Sequence, residues 1–411
     1  MSDANDWVPH GVETISWRSR SGRGARADRM LTSVEATIPP FIAELVFVSD
    51  PSIQVAQEAA IRALAELDAD TGPGAGAISA FLIRTESIAS SKIEHIEATT
   101  EDFARALAGV KANTSATAMV SASNAIMRMV DDAGRTGRIT LDSMFDAHRT
   151  LLSDDPSEAP YAGQVRGVQN WIGGSDFSPL GAEHVPPAVE RVLPLLHDLI
   201  AFSNRDDIPV VAQAAIAHAQ FESIHPFTDG NGRIGRALIG AIYRRRGLTS
   251  STTPPVASAL AADQDGYFEL LTAYRRGVAT PIVRELADAT RFAAEEALVS
   301  VRAIRELPEE WEAGLAPRAG SALSALVEGL LDTPVFDAES AEARIGRSTS
   351  ATYEALERLE DAGITLRITN RQRNRVWAVT AIIDELDSLD WRIAARARAR
   401  SAAEPREPVA P

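Results

Sequence analysis

Apolar residues recur at three- and four-residue spacing through most of this chain, the period of helices with one buried face. The spacing predicts helices over Ile53–Leu67 and Ala77–Ala89, broken by Thr71, Gly72, Pro73 and Gly74. Helical spacing continues over Ala106–Val130 and over Thr140–Leu152, where Thr140 offers a cap. Ala188–Ser203 reads as an amphipathic helix that Pro194 should kink. Val210–Ile224 is almost wholly apolar or small, which predicts a helix buried in the centre. Ala237–Arg246, ended by Gly247, then Asp263–Arg275 and Val283–Arg305 extend the helical set.

Two stretches depart from this period. Gln169–Gly174 and Glu183–Pro186 read as a short hairpin with a loose loop between. Near Leu307 and Pro308 the pattern changes again. Helices over Gly320–Leu331, Asp337–Ile345 and Ser348–Ala362 precede an alternating strand pair at residues 364–368 and 375–379. Three helices followed by a two-stranded wing is the order of a winged helix-turn-helix. The expected fold class is all-α with a short hairpin, plus that C-terminal domain. The expected parts are an extension over 1–34, helical regions over 35–112 and 113–306, the winged helix over 307–390 and a flexible tail over 391–411.

Length and composition narrow the function classes. A chain of 411 residues with 45% hydrophobic and 24% charged residues is ordinary for a soluble protein of two or three domains. The absence of cysteine excludes disulfides and thiolate metal sites. No signal peptide or membrane span is legible, so a cytoplasmic location is expected. The net charge of -16 argues against a nucleic-acid coat but leaves room for a local basic patch. Lys92 and Lys111 are the only lysines, and the excess of arginine and alanine suggests a GC-rich bacterial genome.

The chemistry concentrates in residues 225–236, His-Pro-Phe-Thr-Asp-Gly-Asn-Gly-Arg-Ile-Gly-Arg. Gly230, Gly232 and Gly235 let the backbone turn tightly and approach a ligand. A helix beginning near Gly232 would aim its free N–H groups at that loop, a ready anion site. Arg233 and Arg236 share one face of the first turn and suit a phosphate chain. Asp229 is a hard oxygen ligand of the kind Mg²⁺ uses with phosphates. His225 closes the buried helix and can take a proton. Each feature alone is more often structural; a structural loop has no need of all of them together.

The segment resembles the signature of the Fic family, His-Pro-Phe-x-(Asp/Glu)-Gly-Asn-(Gly/Lys)-Arg-x-x-Arg, at every defined position. The likeness extends to Gln164–Arg166 and Gln169–Gly173, similar to the family's flap, and to His218–Glu222, and covers roughly residues 53–297. It implies a protein adenylyltransferase that moves AMP from ATP to a Tyr, Ser or Thr hydroxyl and releases pyrophosphate. His225 would be the base and Asp229 would hold Mg²⁺. Gly230, Asn231, Gly232 and Gly235 would shape the phosphate cradle, Arg233 would stabilise charge, and Arg236 would grip the γ-phosphate. Gly at position 232, where a kinase-like branch has Lys, favours AMP transfer. Tyr267 resembles an aromatic position near the nucleotide base.

Upstream, Ser90-Ser91-Lys92-Ile93-Glu94 resembles the family's inhibitory helix, which implies that Glu94 pairs with Arg236. His95 departs from the Gly or Asn usual after that glutamate. The hairpin over Asn170–Val185 could bind an extended target segment by strand addition. Arg367, Arg371, Arg373 and Arg375 make the wing basic, but Glu354, Glu357, Glu360 and Asp361 make the preceding helix acidic. A protein-interaction or homodimer role is therefore favoured there over DNA binding. Two other readings stand beside transfer: removal of AMP at the same site, and a nucleotide-sensing DNA-binding regulator.

Overall fold

The computed structural model describes residues 6–19, 22–72, 76–110, 113–346, 348–369 and 375–403. Strands β1 (Gly11–Ser16) and β2 (Ser33–Ile38) pair antiparallel, and the short helix α1 (Arg26–Met30) lies in the connection. The sequence reading gave this region only as an extension. A connection that runs through a helix leaves no tight-turn signal to mark the hairpin. Trp7 anchors the segment, its ring 6.4 Å from Phe47 and 6.5 Å from Tyr274.

Helix α2 (Pro51–Thr71) starts where Asp50 accepts from the Ser52 and Ile53 amides and Pro51 fills the first turn. It is followed by α3 (Gly76–Ile93) and α4 (Thr100–Leu107). The continuous helix expected over Ala106–Val130 is broken, because Gly109 takes a positive φ and Asn113 caps a new helix, α5 (Thr114–Thr136). Next come α6 (Leu141–Leu152), capped by Thr140, and α7 (Val189–Ser203), with Pro194 inside it. Every residue of α8 (Val210–Ile224) is buried, and it packs among α7, α9 (Asn231–Arg245) and the long helix α12 (Thr280–Leu315).

Helices α10 (Ala257–Leu260) and α11 (Gln264–Arg275) lead to α12 (Thr280–Leu315), which packs along α2. The boundary expected at Leu307–Pro308 falls inside α12. The helix runs through Pro308, and the buried Trp311 holds its last turns against the protein.

Beyond it lie α13 (Ala322–Glu328), β3 (Val335–Asp337), α14 (Ala338–Ile345), α15 (Thr349–Asp361), β4 (Thr365–Arg367) and β5 (Val376–Val379). The strands form an antiparallel sheet of order β3-β5-β4, so β3 is added to the expected pair. Three residues are too few to show a period. The buried Trp377 stacks on Phe336, and its Nε1–H donates to Glu360. Arg371 and Arg373 lie outside the described residues.

Helix α16 (Thr380–Ala403) follows β5 without a linker. The flexible tail expected from residue 391 is instead helix through Ala403. Two causes are visible. Leu386, Leu389, Ile393 and Ala397 form a buried face. Arginines form a ladder along α12: Arg392 and Arg396 pair with Glu296 at 3.1 and 3.2 Å, and Arg400 with Asp288 at 3.3 Å. The helix also reaches α3 and α4. Lys92 of α3 meets Asp390 at 2.8 Å, and Thr100 of α4 donates to Asp387 at 2.8 Å. Among the described residues no helix is long and apolar enough to cross a membrane.

Candidate active site

Helix α8 ends at His225, which adopts a left-handed conformation with φ 47°. That backbone costs a non-glycine residue about 1–2 kcal/mol, so something must hold it. Arg166 does: its Nε donates to the His225 carbonyl at 2.9 Å, its Nη2 to Pro187, and its own amide to the Pro226 carbonyl. Arg166 is buried, and no sequence period distinguishes it from a surface arginine.

The imidazole is oriented by two amides. Asn170 Nδ2 lies 2.9 Å and Asn231 Nδ2 3.3 Å from His225 Nδ1, and both also donate to the Phe227 carbonyl. Two NH₂ groups facing Nδ1 place the ring proton on Nε2 in this state. Asn170 Oδ1 is buried without a partner. Turning that amide would give Oδ1 the Nδ1 proton and leave Nε2 as an acceptor, at the cost of facing Oδ1 toward the Phe227 carbonyl, which Asn231 keeps bonded. Burial, with the Arg166 guanidinium adding to it, pushes the His225 imidazole down to about 3, so it is neutral at ordinary pH.

Gly230, at φ 75°, turns the chain into α9, whose first residues are Asn231, Gly232 and Arg233. Their N–H groups have no acceptor within the helix and gather at the end of the loop. Arg233 is buried and donates to Asp229 at 3.1 Å, while the Asp229 side chain is 50% exposed. A cavity of about 200 Å³ opens beside these two residues, lined also by Ile96, Leu151 and Asp155. Among the described residues no group of three metal-ligating side chains forms. One open carboxylate beside an anion cradle nevertheless fits an ion that keeps water and phosphate as its other ligands, as Mg²⁺ does.

Arg236, 2% exposed, is held by α3. Its Nε donates to Ser90 Oγ at 2.8 Å, and its Nη2 to the Ser90 carbonyl at 2.9 Å and Glu94 Oε1 at 2.8 Å. Burial opposes the charge on Glu94, but Arg236 outweighs it and holds the carboxyl below its usual range. Gly232 makes the approach possible, since a Cβ there would collide with Glu94 Oε1. Gly235 serves packing, because its Cβ would collide with Glu222 Oε1.

The end of α3 explains the residue after Glu94. Ile96 N–H bonds to the Ser91 carbonyl and His95 N–H to the Lys92 carbonyl, each at 3.0 Å. This is a Schellman closure, with His95 at φ 57° where glycine or asparagine is easiest.

Tyr267 departs from its expected place. It is buried, and its hydroxyl meets His218 Nε2 at 2.7 Å, leaving no ring face open to a nucleobase. Its neighbour Phe268 is exposed. The expected flap hairpin is a single bridge, Ile172 to His184. The N-terminal hairpin backs it: Thr37 N–H donates to Val185 O, and Trp17 packs edge-on against Trp171 at 5.3 Å. The Val185 side is therefore already paired.

The Fic/DOC family pattern matches residues 134–243, which carry His225 through Arg236. This segment is a Fic/DOC domain. Glu94 lies outside it. The chain is 31% identical to a protein adenylyltransferase Fic of Nematostella vectensis over 166 residues, 39% of this chain and 35% of that protein. It is 33% identical to protein adenylyltransferase fic-1 of Caenorhabditis elegans over 150 residues, 36% of this chain and 27% of that one. The chain thus spans about a third of the length of the curated relatives it matches. A Fic family protein from Desulfovibrio desulfuricans G20 shares the fold, with a TM-score of 0.51 at 20% identity, over 81% of this chain and 97% of that one.

Proposed function

We propose that this chain transfers AMP from ATP to a hydroxyl side chain of a protein, with Glu94 restraining the reaction. The observation that carries the reading is that one carboxylate, Glu94, interacts with Arg236, Arg233 and His225 together, beside the open first turn of α9. The hydroxyl oxygen bonds to the α-phosphorus, the bond to the bridging oxygen breaks, and pyrophosphate leaves with its electron pair. The hydroxyl proton passes to His225 Nε2 once the Asn170 amide has turned. Asp229 would hold Mg²⁺, which supplies charge neutralisation to the phosphates. Gly230, Asn231 and Gly232 would cradle the phosphates and Arg233 would stabilise their charge, positioning and electrostatics supplying most of the rate. Arg236, freed from Glu94, would hold the γ-phosphate.

The target would align along residues 170–174, the side of the flap that β2 leaves open. We read the C-terminal helices and sheet as a winged helix with a protein-interaction role. The full chain, incubated with labelled ATP and a cell lysate beside His225→Ala, tests the reading. Label should reach protein with the parent chain and drop at least about a hundredfold without the base. Equal labelling by the two would overturn it. Label released from pre-modified protein, and lost in Glu94→Gly, would favour the reverse reaction instead.

A further inference from the structure

His148 stands outside the signature, on α6, and is buried. It meets the phosphate loop at two points. Its ring stacks on Phe227 with centroids 3.7 Å apart and planes within 8°. Its Nε2 lies 3.0 Å from the Asp229 carbonyl.

The proton on this ring can be placed from its other contact. The Gly163 amide lies 2.8 Å from His148 Nδ1, and a backbone N–H only donates. Nδ1 is therefore the acceptor, and a neutral ring carries its proton on Nε2. Nε2–H then donates to the Asp229 carbonyl.

This bond fixes a peptide plane. In a trans peptide the carbonyl and the following N–H point in opposite directions. With the Asp229 carbonyl turned toward α6, the Gly230 N–H faces away from α6, toward the loop's concave side. Among the described residues that N–H makes no backbone hydrogen bond. Leu151 reinforces the setting, since a Cβ at Gly230 would stand 2.7 Å from its Cδ2. The ring thus braces the residue whose carboxylate faces the cleft and the amide that follows it.

We propose that His148 is a positioning residue that aims the Gly230 amide at the phosphates of ATP and fixes the backbone from which the Asp229 carboxylate projects. The proposal rests on the transfer reading for its effect on rate, but not for its effect on binding. A core histidine kept only for packing would be replaced equally well by any side chain of similar volume. A positioning residue would be replaced only by one that keeps the donor.

Three variants separate these cases. In His148→Gln the amide nitrogen occupies about the place of Nε2. In His148→Asn only the Gly163 acceptor is kept, and in His148→Phe only the stacked ring. The full chain is labelled with ¹⁵N-glycine and titrated with ATP and Mg²⁺, and transfer is measured in the Glu94→Gly background. The Gly230 amide signal should move on titration in the parent and Gln chains and stay in place in the Phe chain. Transfer by Phe and Asn should fall about tenfold to a hundredfold, as for a misplacement of about 1 Å, with Gln within a few-fold of the parent. Equal Gly230 shifts in Gln and Phe would overturn the inference even if transfer were never seen. A Gly230 signal that follows the proposal in chains that transfer no label would sink the transfer reading alone.

Discussion

Glu94→Gly should convert a restrained enzyme into an active one. The substitution removes the carboxylate that accepts from Arg236 at 2.8 Å and leaves the two Ser90 contacts in place. A hydrogen bond between charged partners is worth about 1.5–3 kcal/mol. The Glu94 side chain is 32% exposed, which places this pair toward the low end of that range. At about 1.4 kcal/mol per tenfold, removing the competitor should raise transfer about tenfold to thirtyfold. Glu94→Gln keeps an acceptor of the same size without the charge and should recover a few-fold. Acid is no substitute for the mutation. Glu94 is held below its usual range, so the pair persists until the pH falls through that depressed value. The assay is label transfer from α-labelled ATP by the full chain, with His225→Ala in the same background as the blank. Equal transfer by the parent and Glu94→Gly chains, with ATP bound by both, would refute the competition between Glu94 and ATP for Arg236.

Two further outcomes test the surroundings of the site. His95→Gly should raise the melting temperature by relieving about 1 kcal/mol of left-handed strain at the end of α3; a lower or unchanged value in thermal melts would mean that the His95 side chain offsets its own strain. Stability should fall steeply between pH 6.5 and 5, read as the midpoint of urea unfolding. His10, His148, His184, His218 and His225 are all held neutral by burial, so the unfolded chain binds their protons first. Glu86 and Glu222, pushed up to about 7 by burial, act in the opposite sense. Five groups against two leave a net uptake of about three protons on unfolding near pH 5. A flat midpoint over that range would contradict the burial of these histidines.

The chemistry of the loop was legible because it is local. Residues 225–236 carry the base, the carboxylate, the cradle and both arginines in one run, and helix spacing places them. Glu94 was legible only through its likeness to an inhibitory helix, since nothing in the chain between it and Arg236 signals contact. Arg166 and Asn170 fall in the stretches that resemble the family's flap, but their hold on His225 comes from contacts across the fold, and His148 has the type and spacing of an ordinary helix residue. Tyr267 shows the converse, an aromatic at a suggestive position whose ring is spent on the core. The N-terminal hairpin escaped because its strands are joined through a helix. The tail escaped because its Ala and Arg composition is that of a disordered segment until acidic residues on α12 are placed beside it.

Helix α16 ties the C-terminal region to the two helices that flank Glu94. It begins where β5 ends, and its Asp387 and Asp390 hold Thr100 and Lys92 on either side of Glu94. An excised Fic/DOC segment of residues 134–243 would keep the phosphate loop and lose both Glu94 and the helix behind it. The contacts that hold α3 and α4 on either side of Glu94 therefore exist only in a chain that extends through α16.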